Sequence, residues 1–282
     1  MCKVSEADFQ EKDVGDSLCQ TLHRVPAKGR GRKFLIPERR GHLAAIFKLS
    51  ELLFFPSFCH LCSTLLENPG EKVICRNCWQ SLLEHREAVC ICCGRFFHGD
   101  AEPHLCSACI ENPPPFVCHR SCGSYRGRLK DIILLYKYRK FRILGEGLTA
   151  FAFQAQREAE DLWYGVEICI PVPLHPRRRR RRGFNQAEII SRRLSAEKGF
   201  RHENGCLVKT SNIPPQTSLD GGARRRNVKG AFSVRNPGAV EGKSVLLVDD
   251  VYTTGSTIRE CASVLKAAGA REIRALTIAQ AG

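Results

Sequence analysis

No run in this 282-residue sequence approaches the roughly 18 consecutive apolar residues that a membrane-spanning helix requires. The N-terminus also lacks the apolar core of a secretory signal, because acidic and basic residues are mixed through it. Acidic residues are outnumbered, with 29 Asp and Glu against 44 Lys and Arg, for a formal net charge of +15. We therefore expect a cytoplasmic protein without membrane insertion, whose partner carries phosphates or is a nucleic acid.

Cysteine, in contrast, is abundant: the chain has 16 cysteines, and eleven of them fall between Cys59 and Cys122. Disulfides are disfavoured in a reducing compartment, so clustered cysteines there indicate metal binding. Eight of the eleven form C-x2-C pairs, and the second half of the segment repeats the first at an offset of 31 residues. The pairs are Cys59 with Cys62, Cys75 with Cys78, Cys90 with Cys93, and Cys106 with Cys109.

Four thiolates from two such pairs match a closed, tetrahedral, structural Zn²⁺ site. The repeat favours two zinc ions, one bound by the four paired cysteines of each half. Interleaved pairing between the halves and an iron–sulfur cluster stay open as alternatives at this point. Cys92, Cys118 and Cys122 have no place in the repeat, and their role is left open.

The chain divides into three segments by composition. Residues 1–50 form a basic appendage, and the Gly- and Arg-rich stretch over 28–40 favours a disordered tail over a nucleic-acid-binding arm. Residues 55–122 form the double zinc-finger module. Residues 123–282 alternate helical and strand patterns, which predicts an α/β domain with a parallel sheet flanked by helices. We predict helices over 129–138, 143–156, 186–198 and 257–268, and strands over 166–172, 244–248 and 272–279.

Asp249 and Asp250 are the first candidates for chemistry. They follow an apolar, β-branched run that predicts a buried strand, and ligands of open α/β sheets bind at the C-terminal ends of the strands. Paired carboxylates suit a polyol, because each can accept hydrogen bonds from ribose hydroxyls. The small residues Thr253, Thr254, Gly255, Ser256 and Thr257 then lead into a helix, where backbone N–H groups can converge on a phosphate.

A second element is the Pro-rich end of the strand over 166–172, with Pro173, Leu174 and His175. It runs into six arginines that could hold pyrophosphate or a longer polyanion, or could form an exposed basic turn. They are Arg177, Arg178, Arg179, Arg180, Arg181 and Arg182. The RGFNQ motif over 182–186 places Phe and two amides within a charged run, which requires a packing or binding reason.

A third element spans the PQTSL motif over 215–219 and the basic residues Arg225 and Arg226. It lies between helix and strand patterns. This position fits a loop that closes over a reaction centre and excludes water, and it fits a plain surface connection equally well.

The stretch over 245–257 resembles the PRPP-binding motif of type I phosphoribosyltransferases, where PRPP is 5-phosphoribosyl pyrophosphate. The chain contains, in this order, the C-x2-C pairs, PVPLHP, RRGFNQA, PQTSL, RRRNVKGAF and VLLVDDVYTTGST. Because these motifs follow the family's order, the chain resembles the ComF (ComFC) family of competence proteins. The resemblance implies a type I phosphoribosyltransferase fold behind an N-terminal zinc finger. It also implies that Asp249 and Asp250 hold the ribose hydroxyls, that residues 253–257 bind the 5′-phosphate, and that residues 173–175 lie at the pyrophosphate.

The family resemblance implies a protein that binds PRPP with Mg²⁺ and acts in DNA uptake through single-stranded DNA. Other uptake proteins, such as a helicase, are expected partners. The alternative is an active phosphoribosyltransferase of nucleobase salvage or nucleotide metabolism. In that case pyrophosphate leaves C1 of PRPP through an oxocarbenium-like state that Asp249 and Asp250 stabilise. The sequence contains no residue set that identifies an acceptor base, so turnover itself stays open.

Overall fold

The computed structural model describes residues 56–66, 72–83, 88–97, 102–210 and 230–281. The tail over 1–50, the PQTSL segment over 215–219, and the two basic residues Arg225 and Arg226 lie outside the described residues. The helices are α1 (Arg76–Gln80), α2 (Ser107–Glu111), α3 (Gly127–Tyr138), α4 (Leu144–Ala155), α5 (Glu160–Trp163), α6 (Pro176–Arg182), α7 (Gln186–Lys198) and α8 (Ser256–Ala267). The strands are β1 (Cys118–Ser121), β2 (Ile168–Pro171), β3 (Arg201–His202), β4 (Leu207–Lys209), β5 (Phe232–Val234), β6 (Ser244–Tyr252) and β7 (Glu272–Gln280).

Five of these strands form a parallel sheet in the order β1-β7-β6-β2-β3. Strand β6 lies at its centre, with β7 on one side and β2 on the other. Strands β4 and β5 form a separate antiparallel pair. The parallel sheet and its flanking helices confirm the α/β fold predicted from the alternating pattern.

The apolar start of β6 explains its central place. Val245, Leu246, Leu247 and Val248 are all fully buried. Leu246 and Val248 join the core beneath α3, α4 and α7, whereas Val245 and Leu247 join the core beneath α8. A strand covered on both faces is a continuous apolar run in sequence, as this one is.

The first Cys module (residues 56–66 and 72–83) is built into the main core. Cys59, Cys75 and Cys78 are buried in the same cluster as the helices that cover β6. Trp79 packs on α4 so closely that a Cβ at Gly147 would collide with its ring. This module therefore shares its apolar core with the sheet domain.

The second Cys module (residues 88–97 and 102–111) is attached differently. Its four paired cysteines form a small cluster of their own. The module contacts β1, where the His119 N–H donates to the Cys92 carbonyl at 2.7 Å. No helix within the described part of the chain is both long enough and apolar enough to span a bilayer.

Two of the differences from the sequence prediction concern elements next to the candidate site. Strand β6 continues four residues past the predicted end at 248, because β7 pairs with it as far as Tyr252 opposite Gln280. The arginine run forms helix α6 instead of a turn. Pro176 is its first residue, the His175 ring accepts from the Arg177 N–H, and Gly183 ends it at φ +83°.

Candidate functional site

The C-terminal edge of the sheet brings the predicted phosphosugar residues together. Asp249 and Asp250 lie near the C-terminal end of β6, and both are partly exposed. The last residue of β2, Pro171, is in register with Val248, and the Val172 N–H donates to the Val248 carbonyl at 2.8 Å. The segment over 173–175 therefore leaves the sheet beside the two carboxylates.

Asp250 forms an ion pair that the sequence did not predict. The Lys137 Nζ, in the last turn of α3, lies 2.8 Å from the Asp250 Oδ1. The two side chains are 13% and 14% exposed, so water screens this pair less than it would a surface pair. The Asp250 N–H also donates to the Asp249 Oδ1 at 2.8 Å, which fixes the first carboxylate against the backbone.

Asp249 has an unusual protonation equilibrium. Burial, followed by the adjacent charge of Asp250, raises its pKa to about 7, although Lys137 and Lys209 act in the opposite direction. Lys209 of β4 faces the same site. Burial lowers the pKa of its ammonium and Arg178 lowers it further, while Asp249 raises it. The site thus holds two carboxylates with two lysine counter-charges from distant elements.

The raised pKa gives a prediction for Asp249→Asn. An unfolded aspartate titrates near 3.9, so wild-type stability falls as pH rises from about 4 through 7, where the folded state loses its proton. Asparagine does not titrate. The free energy of unfolding of the variant is therefore expected to exceed that of the wild type by roughly 2–4 kcal/mol at pH 8, with little difference near pH 4. Urea denaturation at both pH values measures this difference.

Glu167→Gln provides a control of opposite sign. Glu167 accepts from the Ser244 N–H and the Lys243 Nζ, and these bonds lower the pKa of its carboxyl. The ionised Glu167 carboxylate therefore stabilises the folded protein at pH values above the pKa of the unfolded state. This stabilisation is lost as the pH falls through the lower pKa of the folded state. The Gln variant is therefore expected to be less stable than the wild type at pH 8. If Asp249→Asn raises the free energy of unfolding equally at pH 4 and at pH 8, the titration of Asp249 is not the cause of the stabilisation.

Residues 253–257, named the phosphate loop for their predicted role, connect the end of β6 to the first turn of α8. Gly255 is the N-cap of α8 at φ +74°, a conformation that favours glycine. A Cβ there would also collide with the Tyr252 hydroxyl, which lies directly under the loop. The Thr254 and Ser256 hydroxyls lie 3.0 Å apart. The loop thus joins hydroxyl groups to the N-terminus of a 12-residue helix, an arrangement that suits a phosphate.

Five of the six arginines of α6 fall into two groups. Arg179 pairs with Glu188 at 3.2 Å, and Arg182 donates to the Gln186 Oε1 at 3.0 Å. The guanidinium groups of Arg177, Arg180 and Arg181 are exposed and form no hydrogen bond or ion pair with other residues in the described ranges. Positions i, i+3 and i+4 share one helix face, so these three make up a basic face of α6.

The RGFNQ motif has a packing role. Phe184 is buried in the main core, where its ring contacts Tyr136. Asn185 caps α7 by accepting from the Ala187 N–H, and its side chain donates to the Val172 carbonyl at 3.0 Å. The motif therefore fastens α7 to the strand end that leads into residues 173–175.

The paired cysteines group within each half of the repeat. In each quartet the four Sγ atoms lie within 4.8 Å of one another. The Cys59–Cys78, Cys62–Cys75 and Cys93–Cys106 sulfurs are 3.9, 3.6 and 3.7 Å apart. Zn–S bonds of about 2.3 Å in a tetrahedron separate sulfurs by roughly 3.8 Å. Each quartet therefore fits one zinc ion, and the interleaved pairing is not the one that the fold adopts.

Backbone groups support the same assignment. The Cys75 N–H points at the Cys59 Sγ at 3.4 Å, and the Cys106 N–H points at the Cys90 Sγ at 3.3 Å. Such bonds stabilise the thiolate form that a metal requires. Two cysteines outside the repeat lie away from the quartets: Cys118 is buried in β1, and Cys122 follows β1. Cys92 is half-buried and packs against the second quartet.

Two segments of the chain match known protein families. Residues 51–124 match the double zinc ribbon domain, and residues 180–282 match the phosphoribosyl transferase domain. The second match begins within the last turn of α6 and covers the paired carboxylates and residues 253–257. The first covers both quartets.

Individual relatives are similar over different lengths. Competence protein F of Haemophilus influenzae is 33% identical over 162 residues, which cover 56% of this chain and 71% of that protein. Competence protein ComFC of Bacillus subtilis is 27% identical over 71% of this chain and 80% of its own length. DNA utilization protein YhgH of Escherichia coli O6:H1 is 39% identical over 37% of this chain, and the chain spans only 45% of that protein. On these matches, the chain belongs to the ComF family of competence proteins, with a double zinc ribbon followed by a phosphoribosyltransferase-type domain.

Proposed function

We propose that the protein binds PRPP with Mg²⁺ at the C-terminal edge of its sheet and holds single-stranded DNA on the adjacent basic face of α6. The names of its relatives, competence proteins and a DNA utilization protein, support a role in DNA uptake. The proposed PRPP contacts are Asp249 and Asp250 for the ribose hydroxyls, Thr253, Thr254, Gly255, Ser256 and Thr257 for the 5′-phosphate, and Pro173, Leu174 and His175 for the pyrophosphate.

One observation carries the phosphosugar assignment. Two adjacent carboxylates lie near the C-terminal end of the central strand, and the chain then enters a helix through a loop in which Gly255 has the left-handed conformation. The carboxylates repel a phosphate, whereas the helix N-terminus attracts one. A ligand with hydroxyls at one place and a phosphate at the next satisfies both, which is the chemistry of a ribose 5-phosphate group.

The carboxylates also suit Mg²⁺. This ion keeps several waters and is commonly held by one or two carboxylates together with substrate phosphates. When bound it would offset the charge of the pyrophosphate. Lys209 and Arg178 lie close enough for their charges to interact, and they add positive charge on the pyrophosphate side of the site.

The DNA assignment depends on the basic face of α6. Arg177, Arg180 and Arg181 project into solvent directly after the segment over 173–175. Single-stranded nucleic acid is held by basic tracks along its phosphates, and such binding depends strongly on salt. A strand on this face would run next to the phosphosugar site, which allows the two ligands to influence each other.

Calorimetric titration of PRPP with Mg²⁺, with and without single-stranded DNA, tests the proposal. PRPP binding that DNA leaves unchanged would establish an independent small-molecule site. Competition would mean that the phosphate site itself accepts a nucleic-acid phosphate. Absence of PRPP binding from a protein that contains both zinc ions would remove the phosphosugar assignment.

The arginine assignment gives a separate prediction. The triple variant Arg177→Gln, Arg180→Gln, Arg181→Gln is expected to weaken single-stranded DNA binding about tenfold or more at physiological salt. The slope of log affinity against log salt should fall by about 2, since each phosphate contact on a single strand contributes roughly 0.7. Fluorescence anisotropy of a labelled oligonucleotide across a salt series measures both quantities.

The matched control compares two single variants with the same change in formal charge. Arg180→Gln removes a guanidinium that has no partner in the described structure, whereas Arg179→Gln removes one that Glu188 already pairs. Only the first is expected to lower the salt slope, by about 0.7. Equal slopes for the two variants, or an unchanged slope for the triple variant, would place the DNA on another surface.

A further inference from the structure

The second Cys module lies against the edge of the sheet next to the phosphate loop. A Cβ at Gly94 would collide with the His119 carbonyl, so module and strand are in backbone contact there. The His119 N–H donates to the Cys92 carbonyl at 2.7 Å, which extends hydrogen bonding from β1 into the module. His119 of β1 is therefore in contact with the backbone of Cys92 and of Gly94, the two neighbours of the quartet member Cys93.

The His119 side chain is completely buried between the module and the sheet. Its Nδ1 lies 2.8 Å from the Cys93 carbonyl, and its Nε2 lies 2.9 Å from the Thr277 hydroxyl on β7. A carbonyl can only accept, so the Nδ1 carries a proton and donates it. Ser121 extends the network, with its hydroxyl 2.6 Å from the Thr277 hydroxyl.

The ring of His119 also supports Tyr252. The two rings are stacked with centroids 4.1 Å apart and planes 19° from parallel. Tyr252 is the last residue of β6, and its hydroxyl occupies the space directly beneath Gly255. A continuous set of contacts therefore runs from the Cys93 backbone through His119 and Tyr252 to the phosphate loop.

A second tie joins the same two parts of the molecule. Arg259, in the first turn of α8, donates both terminal guanidinium nitrogens to the Asn112 carbonyl at 3.2 Å. Asn112 is the C-cap of α2 in the second Cys module. The module thus contacts α8 through Asn112 and reaches Tyr252 through His119.

We propose that His119 is a positioning residue through which the second Cys module holds the phosphate loop in its binding conformation. The first Cys module has no equivalent role, because it packs on the helices over the other face of the sheet. The inference rests on the proposed function in one respect, namely that the loop binds the 5′-phosphate. The contacts themselves predict a change in loop mobility whatever the ligand.

The test is His119→Phe, which keeps a ring over Tyr252 and removes both side-chain hydrogen bonds. With both zinc ions retained, its affinity for ribose 5-phosphate is expected to fall about tenfold, the equivalent of roughly one hydrogen bond. Affinity for pyrophosphate, which contacts residues 173–175 instead, should stay within about twofold. Amide exchange over 253–257 in the ligand-free protein is expected to be about tenfold faster.

His202→Phe is the matched control, because His202 also binds a hydroxyl, that of Ser191 at 2.9 Å, but lies on the opposite edge of the sheet. This variant should leave amide exchange over 253–257 unchanged.

Two results for His119→Phe would overturn the inference. One is amide exchange over 253–257 equal to that of the wild type, and the other is an equal loss of affinity for ribose 5-phosphate and for pyrophosphate. If wild-type protein binds neither ligand, the proposed function fails, and loop exchange alone decides the inference. If His119→Phe does not fold with two zinc ions, Thr277→Val replaces it in the same measurements. This variant removes the hydroxyl that is hydrogen-bonded to the His119 Nε2, and the same changes in affinity and amide exchange are expected.

Discussion

The double variant Asp249→Asn, Asp250→Asn is expected to lose PRPP binding, with an affinity more than 100-fold below that of the wild type. Each carboxylate is proposed to accept hydrogen bonds from a ribose hydroxyl, and a bond to a charged group contributes about 1.5–3 kcal/mol. Two such losses amount to roughly 3–6 kcal/mol, which corresponds to 100-fold or more in affinity. Calorimetric titration with PRPP and Mg²⁺ measures the loss, and tight binding by the variant would reject the ribose assignment.

The variant must be distinguished from one that is simply unfolded. Asp249→Asn alone should be more stable than the wild type at pH 8, because it removes a partly buried charge next to another carboxylate. Substitution at 250 also leaves the Lys137 ammonium without its partner at 2.8 Å. Near-ultraviolet circular dichroism and zinc content should therefore accompany each titration. Loss of PRPP affinity in a single Asp249 variant with raised stability would assign the loss to binding chemistry.

The local sequence predicted the elements that depend on one continuous pattern. Helix α7 occupies the predicted 186–198, and β6 begins at the predicted Ser244. Each is a sustained pattern with its own end signal, such as Gly199 in the left-handed conformation after α7. The connection from β6 to α8 was predicted for the same reason, since its strand, carboxylates, small residues and helix are contiguous. Its phosphate-binding role stays a prediction.

The parts that were missed depend on contacts between distant segments. Lys137 reaches Asp250 across 113 positions of sequence, and nothing in the sequence around α3 distinguishes it from a solvated lysine. The charge of Lys209 interacts with that of Asp249, although the two residues are 40 positions apart in the sequence. Strand β1 was missed because it has just four residues, two of which are His119 and Arg120. His119 is buried there by the second Cys module, an environment that no local pattern encodes.

The arginine run over 177–182 was interpreted from its charge, although the residues at its two ends say more about its structure. Pro176 at the first helical position and Gly183 after the last are the signals of a short helix. From its charge, the run was predicted to hold pyrophosphate or a longer polyanion, or to form an exposed basic turn. Six like charges repel one another. The structure relieves part of this repulsion by pairing Arg179 with Glu188 and by placing Arg182 over the Tyr138 ring, with 5.5 Å between guanidinium carbon and ring centroid.

Cys78→Ser is expected to destabilise the whole protein. Structural zinc binding supplies roughly 10–16 kcal/mol in small zinc domains, which equals or exceeds the net stability of a typical domain. Cys78 and Cys59 are buried in the same core cluster as Leu246 and Val248 of β6. Loss of the first ion therefore exposes apolar surface of the sheet domain as well. Thermal denaturation with atomic absorption measurement of zinc should find a much lower midpoint and fewer than two ions per chain.

Cys109→Ser is expected to act locally, because the second quartet forms a cluster separate from the main core. The variant should retain about one zinc ion per chain and a cooperative transition of the sheet domain. Cys122→Ser and Cys92→Ser remove thiols outside the quartets, and both are expected to keep two ions. Equal loss of cooperative unfolding in the Cys78 and Cys109 variants would contradict the separation of the two sites. The expected difference follows from packing, since one ion stabilises a part of the main core and the other an attachment to its edge.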